Sequence, residues 1–143
     1  MNPFSGMPFP KVVYEDRRFL KKDEVNRILT GIISHPQTKP VAKKRDILMF
    51  FILLFCGLRR TEPRLLEVRD VDLDRKILTV RGETSKSVKT RQIPLHSDAI
   101  SYFKDYMKER QKYKTPFLFV SGSADKELST HGLKHWVDRV KKI

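Results

Sequence analysis

Two short stretches hold side chains able to handle a phosphate group. Residues 57–62 read GLRRTE, and residues 86–95 read KSVKTRQIPL. Arginine is permanently charged, and its planar fork of donors matches phosphate oxygens. Arg59 falls between the end of a long apolar run and the start of the next segment, where free helix N–H groups also favour an anion. Glu62, three residues on, can hold one guanidinium in place. The plainer reading is a surface ion pair, worth about 0–1 kcal/mol, since helix ends commonly collect arginine. In the second stretch Lys86 sits at or near a hairpin tip, with Lys89 and Arg91 behind it. A narrow cationic tip suits a DNA groove. A lysine at a phosphate can also act as general acid toward a leaving oxygen. By itself the stretch reads equally well as a solvated basic loop.

These residues need elements to position them. Residues 47–58 form a twelve-residue apolar run, too short for a membrane span of about 20, so the segment VAKKRDILMFFILLFCG predicts a buried central helix closed by Gly57. FLKKDEVNRILTGII predicts an amphipathic helix with Val25, Ile28, Leu29 and Ile32 at helical spacing. TEPRLLEVRD predicts a short helix, capped by Thr61 or Glu62 with Pro63 in its first turn. KILTVR and RQIPL are strand-like, rich in β-branched and apolar residues, and joined by GETSKSVKT as a hairpin. SDAISYFKDYMKERQ predicts a helix capped by Ser97 with Ile100, Phe103 and Met107 on one face. TPFLFVS is a short apolar packing segment. LSTHGLKHWVDRVKKI predicts a last helix with Leu133, Trp136, Val137 and Val140 inward. The expected fold is mainly α with a small antiparallel β-sheet.

The bulk numbers narrow the partner. The 143 residues suit one domain and carry 30 Lys and Arg against 17 Asp and Glu, a net charge of +13. Of this, +6 lies in residues 1–80 and +7 in residues 81–143, so the charge belongs to the whole domain rather than to a tail. An even positive field points to a polyanion, most simply nucleic acid, beyond what solubility asks for. The single cysteine, Cys56, excludes an internal disulfide and fits a reducing compartment. No cysteine cluster offers a zinc site. His131 and His135 can share a helix face but lack further ligands, so no metal is expected. MNPFSGMPFP has neither the basic start nor the apolar stretch of a signal peptide.

In order along the chain come Gly57, Leu58, Arg59 and Glu62, then Leu66 and Asp70, the strand ILTV, and Lys86, Lys89, Arg91, Pro94 and Leu95. This series resembles the catalytic domain of the tyrosine recombinases, the phage-integrase family, over roughly residues 17–142. The resemblance implies site-specific DNA cleavage and rejoining through a 3′-phosphotyrosine, without metal, cofactor or ATP. Two arginines stabilise the charge that grows on the scissile phosphate, and a hairpin lysine protonates the leaving 5′-oxygen. Carried over by position, Arg59 is the first arginine and Lys86 the lysine. Glu62 supports Arg59, Asp70 caps or braces a turn, Lys89 and Arg91 contact DNA, and Arg60, one place off the motif, is structural or contacts the DNA backbone. Double-stranded DNA is the implied partner, a tetramer on DNA the implied assembly of the full-length protein, and the cytoplasm, at the nucleoid, the implied location.

The family's second cluster, H-x-x-R followed by a histidine and the nucleophilic tyrosine, has one candidate here, HGLKH at 131–135. It has lysine where bidentate phosphate binding requires arginine, and no tyrosine follows it. Tyr14, Tyr102, Tyr106 and Tyr113 all lie upstream. Spacing makes Tyr102 and Tyr106 partly buried or amphipathic surface residues rather than nucleophiles. The expectation is therefore a partial catalytic domain over residues 17–143, preceded by a linker at 1–16 from a missing DNA-binding domain. Such a chain holds no nucleophile and does not cleave DNA alone. The rival expectation is a non-enzymatic DNA-binding protein derived from a truncated recombinase.

Overall fold

The computed structural model describes residues 20–36, 39–84 and 89–143. The expected linker at 1–16 lies outside them. The described chain forms five helices and three short strands. Helix α1 spans Lys22–Ser34 and α2 Pro40–Cys56, followed by a single turn, α3, at Glu62–Leu65. Strands β1 (Val71–Asp72), β2 (Ile77–Val80) and β3 (Arg91–Pro94) precede α4 (Ser97–Arg110) and α5 (Thr130–Lys141). No helix among the described residues is long and apolar enough to cross a membrane.

Helix α2 is charged at 43–46 and apolar on every side from Ile47 on, and it packs against both α1 and α4. Leu48 and Met49 have no exposed surface and Ile52 is also buried. Full burial of such a side chain contributes about 1.5–3 kcal/mol relative to exposure. Pro40 opens α2, where its missing N–H costs nothing. Gly57 closes it in the left-handed conformation, at φ 60°, which a residue without Cβ adopts freely. On α1 the Glu24 carboxylate accepts from the Lys21 amide at 2.9 Å, which steadies the helix start. On α5 Ser129 Oγ accepts from the Gly132 amide at 3.0 Å, and Leu133 and Trp136 are buried as expected, with Val137 and Val140 partly so.

The three strands form one antiparallel sheet in the order β1-β2-β3. Leu78 faces Val71 on one side and Ile93 on the other, and Val80 faces Arg91. Along β2, Leu78 and Val80 are buried while Ile77 and Thr79 are half-buried, so one face of the sheet meets the core. A turn with Lys76 at φ 57° joins β1 to β2.

Several sequence expectations need correction. The helix expected over 61–70 stops after one turn. It is followed by a 3-10 turn at Val68–Asp70, because chain 66–68 leaves the helix to pair with 116–118. The Val68 amide donates to the Pro116 carbonyl at 2.9 Å and the Leu118 amide to the Leu66 carbonyl at 2.8 Å. TPFLFVS is thus a bridging segment, and Leu118, Phe119 and Val120 sit in the core. The cap of α4 is His96, whose Nδ1 accepts from the Asp98 amide at 3.2 Å, and Ser97 is the first helical residue. Tyr106 has no exposed surface. Its hydroxyl donates to the Leu118 carbonyl at 2.7 Å and accepts from the Val120 amide at 3.1 Å, which is what allows a phenol to lie this deep.

Candidate functional site

The first candidate stretch begins where α2 ends. Gly57 turns the chain, Leu58 is buried as a plug, and Arg59 and Arg60 emerge exposed. Among the described residues no hydrogen bond or ion pair engages either guanidinium. Glu62 goes the opposite way, being 2% exposed. Its Oε1 accepts from the backbone amide of Arg59 at 2.8 Å and from Arg91 Nη2 at 2.9 Å. The same nitrogen lies 2.8 Å from Oε2, which has no hydrogen-bond partner among the described residues. Glu62 therefore steadies Arg59 through the main chain and leaves the guanidinium to solvent.

A carboxylate this deep is costly unless it is paired. Burial pushes the Glu62 carboxyl up. The Arg91 hydrogen bond, the Arg59 amide and the positive charges of both arginines outweigh burial and hold it below the usual carboxylate range. Arg91 stands at the start of β3, so the Glu62 carboxylate joins the turn after α2 to the sheet.

Asp70 belongs to a second junction of the same kind. Its Oδ2 accepts from the Glu67 amide at 2.8 Å and closes the 3-10 turn. Arg81 Nε donates to Asp70 Oδ1 and Oδ2 at 3.0 and 3.2 Å. Arg81 Nη2 reaches the Leu65 carbonyl at 3.2 Å and lies 2.8 Å from Glu67 Oε2. Nothing in the residue order distinguishes Arg81 from a surface cation. Only the folded chain brings the carboxylates of Glu67, Asp70 and Glu83 and the Leu65 carbonyl around it.

Arg81 follows β2 and Arg91 opens β3, so one arginine stands at each root of the intervening hairpin. Gly82 donates from its amide to Thr90 Oγ1 at 2.9 Å across the same mouth. Lys86 lies outside the described residues. Lys89 is exposed. The described parts of the two candidate stretches, distant in sequence, thus meet through Glu62 and Arg91.

The histidine pair is elsewhere, on α5. His131 and His135 are exposed, with their Nε2 atoms 2.9 Å apart. Among the described residues no group of three or more His, Cys, Asp or Glu is placed to hold a metal ion.

The family model described as the phage integrase family matches residues 18–143. The tyrosine recombinase XerA of Thermococcus onnurineus is 36% identical over 101 residues, which are 71% of this chain and 33% of that protein. The tyrosine recombinase XerC of Proteus mirabilis is 26% identical over 136 residues, 94% of this chain and 42% of that protein. The chain thus spans about a third to two-fifths of the relatives it matches. A crystal structure of XerA recombinase superposes with a TM-score of 0.69 at 22% identity, covering 87% of this chain and 42% of that one. The Tn1549 transposon integrase, in complex with a circular intermediate DNA, superposes at 0.71 with 19% identity, covering 95% of this chain and 46% of that one. These structures share the fold, mostly helical with a small three-stranded antiparallel sheet. With a family match that runs from residue 18 to residue 143, the chain belongs to the phage integrase family.

Proposed function

We propose that this chain supplies the first-arginine half of a DNA cleavage and rejoining site, in a site-specific recombinase that works through a phosphotyrosine. The observation that carries the reading is the placement of Arg59. Its amide is fixed by a buried carboxylate just after α2, whose Leu48, Met49 and Ile52 lie in the core, while its guanidinium faces solvent. Fixed geometry is what a transition-state clamp requires, because misplacement by about 1 Å can cost 10²-fold in rate.

In the proposed reaction a tyrosine hydroxyl gives up its proton to water and attacks the scissile phosphorus, forming the phosphotyrosyl bond as the bond from phosphorus to the 5′-oxygen breaks. Arg59 holds non-bridging oxygens, and Lys86 gives its proton to the leaving 5′-oxygen. Rejoining reverses these steps with a different 5′-hydroxyl. The nucleophile and the second arginine come from outside these 143 residues, so the chain alone does not cleave DNA. Double-stranded DNA is the partner, a tetramer on DNA the working assembly, and the cytoplasm the setting. The even charge of +13 supports a DNA partner, as does membership of the family.

The test is fluorescence anisotropy of a labelled duplex between about 50 and 200 mM salt, paired with a nicked suicide substrate. The expected result is salt-dependent binding with no covalent adduct. In Arg59→Ala the log–log slope should fall by about 0.9, the amount that one phosphate left unneutralised accounts for. Binding that ignores Arg59→Ala would remove Arg59 from the site. A covalent protein–DNA band would overturn the missing nucleophile.

A further inference from the structure

We infer that Arg91 is a positioning residue that acts through Glu62 on Arg59, rather than a DNA contact in its own right. The inference rests on the DNA-binding role proposed for Arg59. Its ground is the shared acceptor. One oxygen, Glu62 Oε1, receives both the Arg59 amide at 2.8 Å and Arg91 Nη2 at 2.9 Å.

Three features make this a mechanical link. Glu62 is 2% exposed, so its carboxylate cannot exchange Arg91 for water at little cost. Arg91 is paired with Val80 in the register of the sheet, so its root is as fixed as β3 itself. The charge of Arg91 is matched locally by the Glu62 carboxylate at 2.8 Å, which weakens the field it presents to an outside phosphate. The Arg59 guanidinium has no such partner among the described residues. Arg91, the single arginine of the stretch at 86–95, therefore turns to the buried Glu62 and sets the register between the turn after α2 and the sheet.

Removing Arg91 leaves a buried carboxylate with one hydrogen bond fewer and a competing demand for other donors. Glu62 then loses its fixed angle, and the Arg59 amide loses its fixed acceptor. DNA affinity falls because Arg59 is misplaced.

A double-mutant cycle in DNA binding separates this from direct contact. The parent chain, Arg59→Ala, Arg91→Ala and the double variant are titrated into the same labelled duplex across a salt series, with helical content checked by circular dichroism. Arg59→Ala is expected to weaken binding about tenfold or more, as removal of a charge-assisted phosphate bond does. Arg91→Ala is expected to weaken the parent several-fold yet change Arg59→Ala by less than about twofold, which is the scatter of independent sites. The salt slope should drop once for either substitution and not again for both. If Arg91→Ala does not fold, Arg91→Lys replaces it in the cycle, with the same expectation that its effect vanishes in the Arg59→Ala background. Additive losses with two drops in slope would make Arg91 a phosphate ligand and overturn the inference. Undiminished binding by the folded Arg91 variant would overturn it too. A normal Arg59→Ala would instead remove the reading of Arg59 on which the inference stands.

Discussion

Arg139, near the end of α5, donates through Nη2 to Asp46 Oδ2 in the body of α2 at 2.9 Å, across 93 positions of sequence. Asp46 Oδ1 accepts from Arg45 Nε and Nη2 at 3.0 and 2.8 Å. Arg45 in turn donates to the Val120 carbonyl at 3.0 Å. One carboxylate, 3% exposed, thus fastens the last helix and the bridging segment to the central helix. Asp46→Ala leaves Arg45, itself 7% exposed, without its counter-charge. Breaking a buried pair from one side costs about 3–5 kcal/mol. The expected outcome is an unfolding free energy, measured in urea, lowered by that amount, with Asp46→Asn intermediate because one acceptor oxygen survives.

Glu62 makes stability depend on acidity. Its carboxyl titrates below its ordinary value of 4.5 in the folded chain, so the unfolded chain takes up a proton first as pH falls. The stabilisation is complete above the ordinary value and is lost as pH drops through the folded one. Glu62→Gln should cost about 1–3 kcal/mol near neutrality, with the gap to the parent closing at acid pH. Urea unfolding at a series of pH values between neutral and acid measures this. A gap that stays constant would show that the charge on Glu62 plays no part.

Tyr106 predicts a limit at the alkaline end. Burial of the phenol pushes its pKa up to about 12, although the Val120 amide and the nearby arginines favour the ionised form. The unfolded phenol ionises near 10, so stability falls as pH rises through the interval between these values. Ultraviolet titration of phenolate absorbance should show one late-ionising tyrosine that disappears in Tyr106→Phe. The same variant should lose about 1 kcal/mol at neutral pH, since the Leu118 carbonyl and Val120 amide lose their partner.

Gly57 tests the hinge after α2. A Cβ placed there meets nothing within 4 Å, so the cost of Gly57→Ala is that of the left-handed backbone alone, about 1–2 kcal/mol. Gly57→Asn should cost less, because asparagine tolerates this conformation. Thermal melts of the two variants check the order.

The elements were legible where pattern was long. The run at 47–58, the 3.6-residue spacing in α1, α4 and α5, and the β-branched and apolar residues at 76–81 and 91–95 all gave the right element. Strand β1 was not legible, since two residues carry no period. The pairing of 116–118 with 66–68 depends on a distant partner. The site was legible in its residue types more than in its bonding. Arg59 and Glu62 stood out by spacing, but a sequence suggests a bond between side chains and cannot point to a backbone amide. Arg45, Arg81 and Arg110 were missed because an arginine held inside the fold, whether buried or half-buried, looks in sequence like any surface cation. Arg110, 5% exposed, spends its guanidinium on the carbonyls of Tyr113, Thr115 and Phe117. The one available signal was Asp46, the single acidic residue of α2, set beside Arg45 where the basic run gives way to the apolar one.

Trp136 is the only tryptophan of the chain. It is 4% exposed, and its indole N–H has no hydrogen-bond partner among the described residues. It lies on α5, and lines cavities together with Ile32 of α1 and with Phe50 and Leu53 of α2. The protein therefore contains its own optical reporter. Its intrinsic emission, excited away from tyrosine, reads the docking of the last helix alone, without a label and at the concentrations used for DNA titration.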